Sequence, residues 1–356
     1  MQYKIQLTVL SAVILLLAGC NSGSSSSNPP APNPAAQQFA TQINNQLTAI
    51  GSNNLTAYQV AFPSSQSAAT QAYIIAATAK SIQPNPNLPG WITTYVNPVL
   101  YSYTNGAWES AVIPFPSEST LVSATALTSQ GMYLATESYF TTTTQSSIKV
   151  GLNFSRLYNY NNGLLNVIAN PFVSACTNDC NITSLLAADN IIYAAGWNDN
   201  GTQIYSYDGK TWTNLLTQPA SELTIISLTS DTQGKLYASG YYGTPSNPGA
   251  SYLAVYSNGT WNNLSYANGG MINYNGYNFF SVPFTATTQP NIYSLYQLNN
   301  LQWQPLSSFP AGIYDCSMRS IGSGLVNDQF GNIYTNVNAY CVKGWMSLST
   351  SLIFTN

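Results

Sequence analysis

Residues 189–215 read DNIIYAAGWNDNGTQIYSYDGKTWTNL, and this stretch decides the fold class. Ile191-Ile192-Tyr193-Ala194-Ala195-Gly196 is a short apolar run rich in β-branched and aromatic side chains, and Ile204-Tyr205-Ser206-Tyr207 alternates with a period of two. Both are strand signatures. Asp208-Gly209 then turns the chain into Trp212. Such pairs supply the positive φ that a two-residue hairpin requires.

The same order recurs along the chain. Gly234-Lys235-Leu236-Tyr237-Ala238-Ser239-Gly240 leads to Leu253-Ala254-Val255-Tyr256, and Asn258-Gly259 turns into Trp261. Gly131-Met132-Tyr133 leads to Leu157-Tyr158-Asn159-Tyr160 and Asn162-Gly163, with Leu165 in place of Trp. An earlier copy has Tyr73 to Ala77, Leu100 to Tyr103, Asn105-Gly106 and Trp108; two later ones end at Trp303 and Trp345. The anchors 108, 165, 212, 261, 303 and 345 are separated by 57, 47, 49, 42 and 42 residues. A period in this range with about four strands per unit is a propeller signature. One four-stranded sheet cannot bury its two faces alone, so the sheets lean on one another around an axis. The expectation is an all-β protein, a β-propeller of six blades, or seven if the chain ends build another.

These repeats resemble the kelch family and the propeller of the galactose-oxidase type. In that family a Gly-Gly pair ends the second strand; here Ala195-Gly196 and Ser239-Gly240 stand in its place. Tyr precedes Trp by a fixed step there, and Tyr101 to Trp108, Tyr205 to Trp212 and Tyr296 to Trp303 keep a step of seven. The resemblance covers residues 55–348, is degenerate, and implies the propeller fold.

The chain ends have different patterns. Residues 1–20 carry Lys4 and an apolar run from Val9 to Leu17, too short to span a bilayer and typical of a signal peptide. Leu17-Ala18-Gly19-Cys20 resembles the bacterial lipobox, which implies lipid on Cys20 and a membrane anchor. Asn21, rather than Asp, points by analogy to the outer membrane of a Gram-negative cell envelope. Residues 21–35 are rich in Ser, Pro and Asn and are expected to form a flexible linker. Phe39, Ile43, Leu47 and Ile50 recur at helical spacing, so residues 36–54 are expected to hold a short amphipathic helix packed on the propeller of residues 55–356. Leu352-Ile353-Phe354 is expected to form a strand that helps close the ring.

Four cysteines follow the leader: Cys176, Cys180, Cys316 and Cys341. An even number in an exported chain suggests two disulfides. Of three pairings the local one, Cys176 with Cys180 and Cys316 with Cys341, is expected. The second would close a loop of about 25 residues and stabilise by ~3 kcal/mol. The rival is a zinc site built from all four, although the spacing lacks paired knuckles.

Composition narrows the function. Hydrophobic residues are 45% of the chain and charged ones 5%, so Ser, Thr, Asn, Gln and Tyr must cover the surface. The net charge is −3 and basic runs are absent, which argues against nucleic acid as a partner. Histidine is absent. Histidine-based acid–base catalysis, Ser–His and Cys–His pairs and histidine metal ligands are therefore excluded. No cofactor or metal is implied. Asp231 and Asp328 sit three residues before a Gly and are expected to be turn residues, as is Asp208. Asn198-Asp199-Asn200-Gly201 has a single carboxylate and reads as a hairpin turn rather than a calcium loop.

Ser206-Tyr207-Asp208-Gly209-Lys210-Thr211-Trp212 resembles the Asp-box of sialidases, one residue short. That box is itself a structural turn. Sialidase chemistry needs an arginine triad, and this chain has Arg156 and Arg319 alone.

What remains is aromatic. The loops after the second strands carry Tyr139 and Phe140, then Trp197, then Tyr241 and Tyr242, with Trp91 after the equivalent loop of the first unit. They could share one end of the ring and stack on sugars or dock a protein, or each could pack against its own hairpin. The expected function is binding of a protein or glycan partner without catalysis. The alternatives are a scaffold subunit of an envelope secretion or outer-membrane assembly complex, and an enzyme acting on carbohydrate through Asp and Glu.

Overall fold

The computed structural model describes residues 34–63, 70–82, 92–116, 120–144, 147–173, 180–218, 222–230, 235–244, 247–264, 270–274, 279–283, 294–299, 302–308, 316–327, 333–341, 344–345 and 350–354. One helix, α1 (Pro34–Ser52), precedes six sheets. Blade 1 holds β1 (Thr56–Ala61), β2 (Gln71–Ile82), β3 (Ile92–Thr104) and β4 (Ala107–Val112). Blade 2 holds β5 (Thr120–Thr128), β6 (Gly131–Thr144), β7 (Ser147–Asn161) and β8 (Leu164–Ile168). Blade 3 holds β9 (Asn181–Ala188), β10 (Ile191–Asn198), β11 (Gly201–Tyr207) and β12 (Trp212–Gln218). Blade 4 holds β13 (Thr224–Ser230), β14 (Leu236–Thr244), β15 (Asn247–Ser257) and β16 (Thr260–Asn263). Blade 5 holds β17 (Gly270–Tyr274), β18 (Phe279–Pro283), β19 (Ser294–Asn299) and β20 (Gln302–Ser308).

In these five blades the strands pair antiparallel in chain order. Blade 6 departs from that pattern. Its strands are β21 (Cys316–Asn327), β22 (Ile333–Cys341), β23 (Gly344–Trp345) and β24 (Thr350–Phe354). β23 pairs with one end of β22 and β24 with the other. The last strand thus completes the last blade and does not cross into the first.

The first strands contact one another in sequence around the axis, β1 to β5, β9, β13, β17 and β21, and β21 returns to β1. The ring is closed and the protein is a six-bladed β-propeller with one N-terminal helix.

Blade 3 shows why the period-two pattern builds it. Ile182, Leu185, Ile192 and Ala194 pack toward blade 2 with Tyr205, Tyr207 and Trp212. Leu186, Tyr193, Ala195, Ile204, Leu215 and Leu216 pack toward blade 4. Neighbouring residues on each strand therefore serve different interfaces. A fully buried Ile or Leu contributes about 1.5–3 kcal/mol, and Ile182, Ile192 and Leu157 are all buried to that degree.

The recurring Tyr and Trp are cross-strand neighbours. Tyr103 faces Trp108, Tyr207 faces Trp212 and Tyr256 faces Trp261. The Tyr207 and Trp212 rings stack at 4.7 Å. Two of the three indoles also reach the preceding blade. Trp212 Nε1 donates to the Ala169 carbonyl at 2.7 Å and Trp261 Nε1 to the Leu215 carbonyl at 3.1 Å. The hairpins into these outer strands use Asn105-Gly106, Asn162-Gly163 and Asn258-Gly259, with positive φ at both residues.

Asp208-Gly209 differs. Tyr207 pairs with Trp212, so the loop is four residues long and only its glycine has positive φ. The Asp208 carboxylate organises it, accepting from the Lys210 and Thr211 amides at 2.8 and 2.7 Å. Those amides hold its carboxyl below the usual range. Asp208 is a turn residue, as expected; Asp231, Asp328 and Trp91 lie outside the described residues.

A bulge recurs in each first strand of blades 1 to 4, at Tyr58, Ser123, Thr183 and Ile226. It bends the strand around the axis. In blades 2 and 3 it also frees a hydroxyl for the next blade. Ser123 Oγ donates to the Ile182 carbonyl at 3.3 Å and Thr183 Oγ1 to the Ile225 carbonyl at 2.9 Å. In blade 1 Gln59 Nε2 reaches the Val122 and Ser123 carbonyls at 3.3 and 3.1 Å. Opposite the bulge the second strand passes close to the first. A Cβ on Gly196 would lie 2.1 Å from the Asn181 carbonyl oxygen, and one on Gly240 1.9 Å from that of Thr224.

The expectation of two disulfides requires correction. Cys180 is disulfide-bonded and is the only such cysteine among the described residues, while Cys176 lies outside them. Cys316 and Cys341 form the end pair of the β21–β22 ladder, their side chains lie outside the described ones, and among the described side chains no second bridge is found. The four-cysteine zinc site fails too, because a sulfur committed to a disulfide is no thiolate ligand.

Candidate functional site

Strand direction divides the loops between the two ends of the ring. One end carries the tight turns: Asp189-Asn190 between first and second strands, and the Asn-Gly pairs before the outer strands. The other carries the hairpins between second and third strands and the connectors from blade to blade. All five expected aromatics fall near this second end, at or beyond the close approach between the first and second strands. Tyr139 and Phe140 face Leu152 and Gly151 in a hairpin that continues to Thr144. Trp197 faces Thr202 and Asn181. Tyr241 faces Ser251 and Thr224, and Tyr242 sits at a register shift.

Blades 3 and 4 each turn one of these toward the side where the two blades meet. Trp197 has the parity of Tyr193 and Ala195, which pack toward blade 4, and is half-buried. Tyr242 is 40% exposed. Its ring rests edge-on against Tyr252 at 5.6 Å, and Tyr252 belongs to the cluster between the two blades. Its hydroxyl accepts from Asn263 Nδ2 at 3.2 Å. The Tyr242 ring is thus exposed yet held in one orientation. Burial, helped by the neighbouring Tyr242, pushes the Tyr252 phenol up to about 12, so it stays neutral at any physiological pH.

Tyr241 points the other way along its strand. Its pKa is raised by burial and partly offset by a hydrogen bond with Thr224, so it is in part a packing residue. The side chains of Tyr139 and Phe140 lie outside the described ones.

The base of the blade 3 hairpin is a buried amide network. Asn198 Nδ2 donates to the Phe172 carbonyl at 3.1 Å and to Gln203 Oε1 at 3.0 Å. The Tyr205 hydroxyl donates to the same Gln203 oxygen at 2.9 Å. Asn198 Oδ1 accepts from the Asn200 amide at 3.0 Å, and Thr202 Oγ1 donates to the Leu223 carbonyl. These bonds tie the hairpin that carries Trp197 to the blades on either side. They also explain Asn198-Asp199-Asn200-Gly201 as a hairpin turn, and among the described residues no group of carboxylates and cysteines could hold a metal ion. The sequence reading placed Trp197 but missed Asn198 and Gln203, because a lone amide in a strand gives no periodic signal. Glu222 is exposed on the connector into blade 4.

No protein-family model and no curated protein matches the chain. Solved structures match its fold. A Trypanosoma rangeli sialidase in complex with 2,3-difluorosialic acid aligns with a TM-score of 0.50 at 11% identity, over 85% of this chain and 54% of that one. A xyloglucanase from Xanthomonas campestris aligns at 0.44 and 13%, over 76% and 42%. YCF48 bound to a D1 peptide aligns at 0.42 and 10%, over 84% and 81%. This chain spans about half the length of the sialidase chains. Likeness at this identity shows the fold alone. It supports the propeller and not the kelch-like subtype.

Proposed function

We propose that this protein is a lipoprotein of the bacterial cell envelope, anchored through Cys20, whose propeller binds a protein or glycan partner without catalysis. The observation that carries this reading is the exposed, braced Tyr242 ring, on the same loop end of the propeller as the half-buried Trp197 of the adjacent blade. Rigid aromatics of this kind are what binding surfaces use as anchors. Amide and hydroxyl groups surround them, the chemistry that orients a sugar or a peptide. The lipid anchor rests on Leu17-Ala18-Gly19-Cys20 and the linker that follows it. Among the described residues no helix is long and apolar enough to cross a membrane.

A glycan array and an envelope-extract pull-down with the purified protein test the binding. The expected result is a bound partner that the double variant Trp197→Ala/Tyr242→Ala loses by at least about tenfold, with little change in Tm. Binding that is unchanged, or a large fall in Tm, would remove these residues as the binding surface. Intact-mass analysis of membrane-derived protein tests the anchor: a diacylglyceryl mass on Cys20, lost in Cys20→Ser together with membrane association, is expected. An unmodified Cys20 would remove the anchor.

A further inference from the structure

The rim of blade 2 is more apolar than those of blades 3 and 4; the outer strand β4 of blade 1 also exposes Val112, at 66%, but carries the exposed charge of Glu109 as well. Outer strands β12 and β16 present Thr213, Asn214, Thr217, Thr260, Asn262 and Asn263 to solvent. β8 instead exposes Leu164 at 67% and Val167 at 73%, and Val173 just beyond it at 41%. From Leu157 to Asn178 no residue is charged. β8 is the terminal strand of its sheet, so it lacks the charges or prolines that normally keep an edge from pairing.

We propose that β8 is the surface where a second copy of this chain docks, by antiparallel strand addition about a two-fold axis through Asn166. The register supports it. Asn161 and Leu164 close the Asn162-Gly163 turn and in such a hairpin exchange both backbone hydrogen bonds. Leu164, Asn166 and Ile168 therefore turn their amides and carbonyls toward β7, and Leu165 and Val167 turn theirs outward. The strand reads Leu-Leu-Asn-Val-Ile, apolar on both sides of its centre. A two-fold axis at Asn166 sets Leu165 against Val167 and Leu164 against Ile168 of the other copy. Every pair flanking the central Asn166 is apolar and no charge opposes its like. An isologous contact of this kind closes at two copies, whereas a strand from an unrelated partner would need none of this symmetry.

Sedimentation velocity of the purified full chain over a range of concentrations tests the proposal. A monomer–dimer equilibrium is expected, weakened at least tenfold by Leu164→Lys/Val167→Lys and unaffected by Thr213→Lys/Thr217→Lys on β12. The two β8 side chains are exposed, so the Tm should hold and the variant should remain folded. A second variant tests the register. Residue 166 would face itself across a non-hydrogen-bonded pair, with Cα atoms about 4.5 Å apart, within disulfide reach. Asn166→Cys should therefore give a crosslinked dimer on mild oxidation, and Thr213→Cys should not. A monomer at all concentrations, a dimer untouched by the β8 lysines, or failure of Asn166→Cys to crosslink would overturn the proposal.

Discussion

The interface between blades 2 and 3 and the seam beside blade 1 present the same blade face to different partners. In blade 3 the face bearing Ile192, Ala194, Tyr207 and Trp212 packs on another blade, and the Trp212 indole donates to that blade's chain at Ala169. The equivalent face of blade 1 bears Ala72, Ile74, Tyr103 and Trp108, and it packs on α1 through Phe39, Ile43 and Ile50. Phe39 lies 5.6 Å from the Tyr103 ring, and Tyr103 5.2 Å from Trp108. The Trp108 indole nitrogen is buried and has no partner among the described residues. α1 also touches β24, on the far side of the seam. The helix thus takes the place that a neighbouring blade fills elsewhere. The need follows from blade 6, where β23 is two residues long and β24 pairs with β22. What the helix cannot offer is a free carbonyl to the indole, since helical carbonyls are already bonded.

This comparison can be broken in several ways. Ile43 is fully buried, so Ile43→Ala should cost about 2–5 kcal/mol in chemical denaturation, as much as Ile192→Ala in the blade 2–3 interface. A cost near zero would make the helix an appendage. Gly240→Ala drives a Cβ into the Thr224 carbonyl; overpacking of this sort costs about 1–3 kcal/mol, whereas Gly51→Ala, with open space around it, should be neutral. The Trp pair sharpens the comparison further. Trp212→Phe removes a hydrogen bond worth about 1 kcal/mol in addition to lost ring area. Trp108→Phe loses area but also relieves a buried donor, so it should cost less; equal costs would mean that Trp108 has a partner.

The smallest effect concerns the Asp208 turn. Its carboxyl is held low by the Thr211 and Lys210 amides, so its contribution is present at neutral pH and is lost as pH falls below about 4. Asp208→Ala should lower Tm slightly at pH 7, and the difference from the parent should vanish in acid. A difference that persists in acid would mean that the turn does not depend on the charge.

The blades were legible because their marks are local. Asn-Gly pairs and the Tyr-x-Tyr alternation act within one hairpin, and the second Tyr of that pair, five residues before the Trp, lies opposite it, whereas the Tyr seven residues before it pairs with another residue. The site was legible in part. Trp197 and Tyr242 stood out as aromatics at the ends of second strands, but Tyr241, one residue away, points to the other face of the strand and is in part a packing residue. The bulge residues Ser123 and Thr183 gave no signal, since an extra residue in one strand leaves the pattern of its neighbours intact. The α1 periodicity marked a helix but not its position, because that position depends on what the last blade lacks.

Hydrogen exchange by mass spectrometry, comparing the parent with Ile43→Asp, tests the helix-for-blade account most directly. Faster exchange is expected on both sides of the seam, in β1 and β2 and also in β22 and β24, while β9 to β12 keep their protection. Faster exchange confined to α1 and blade 1, with blade 6 unchanged, would contradict it.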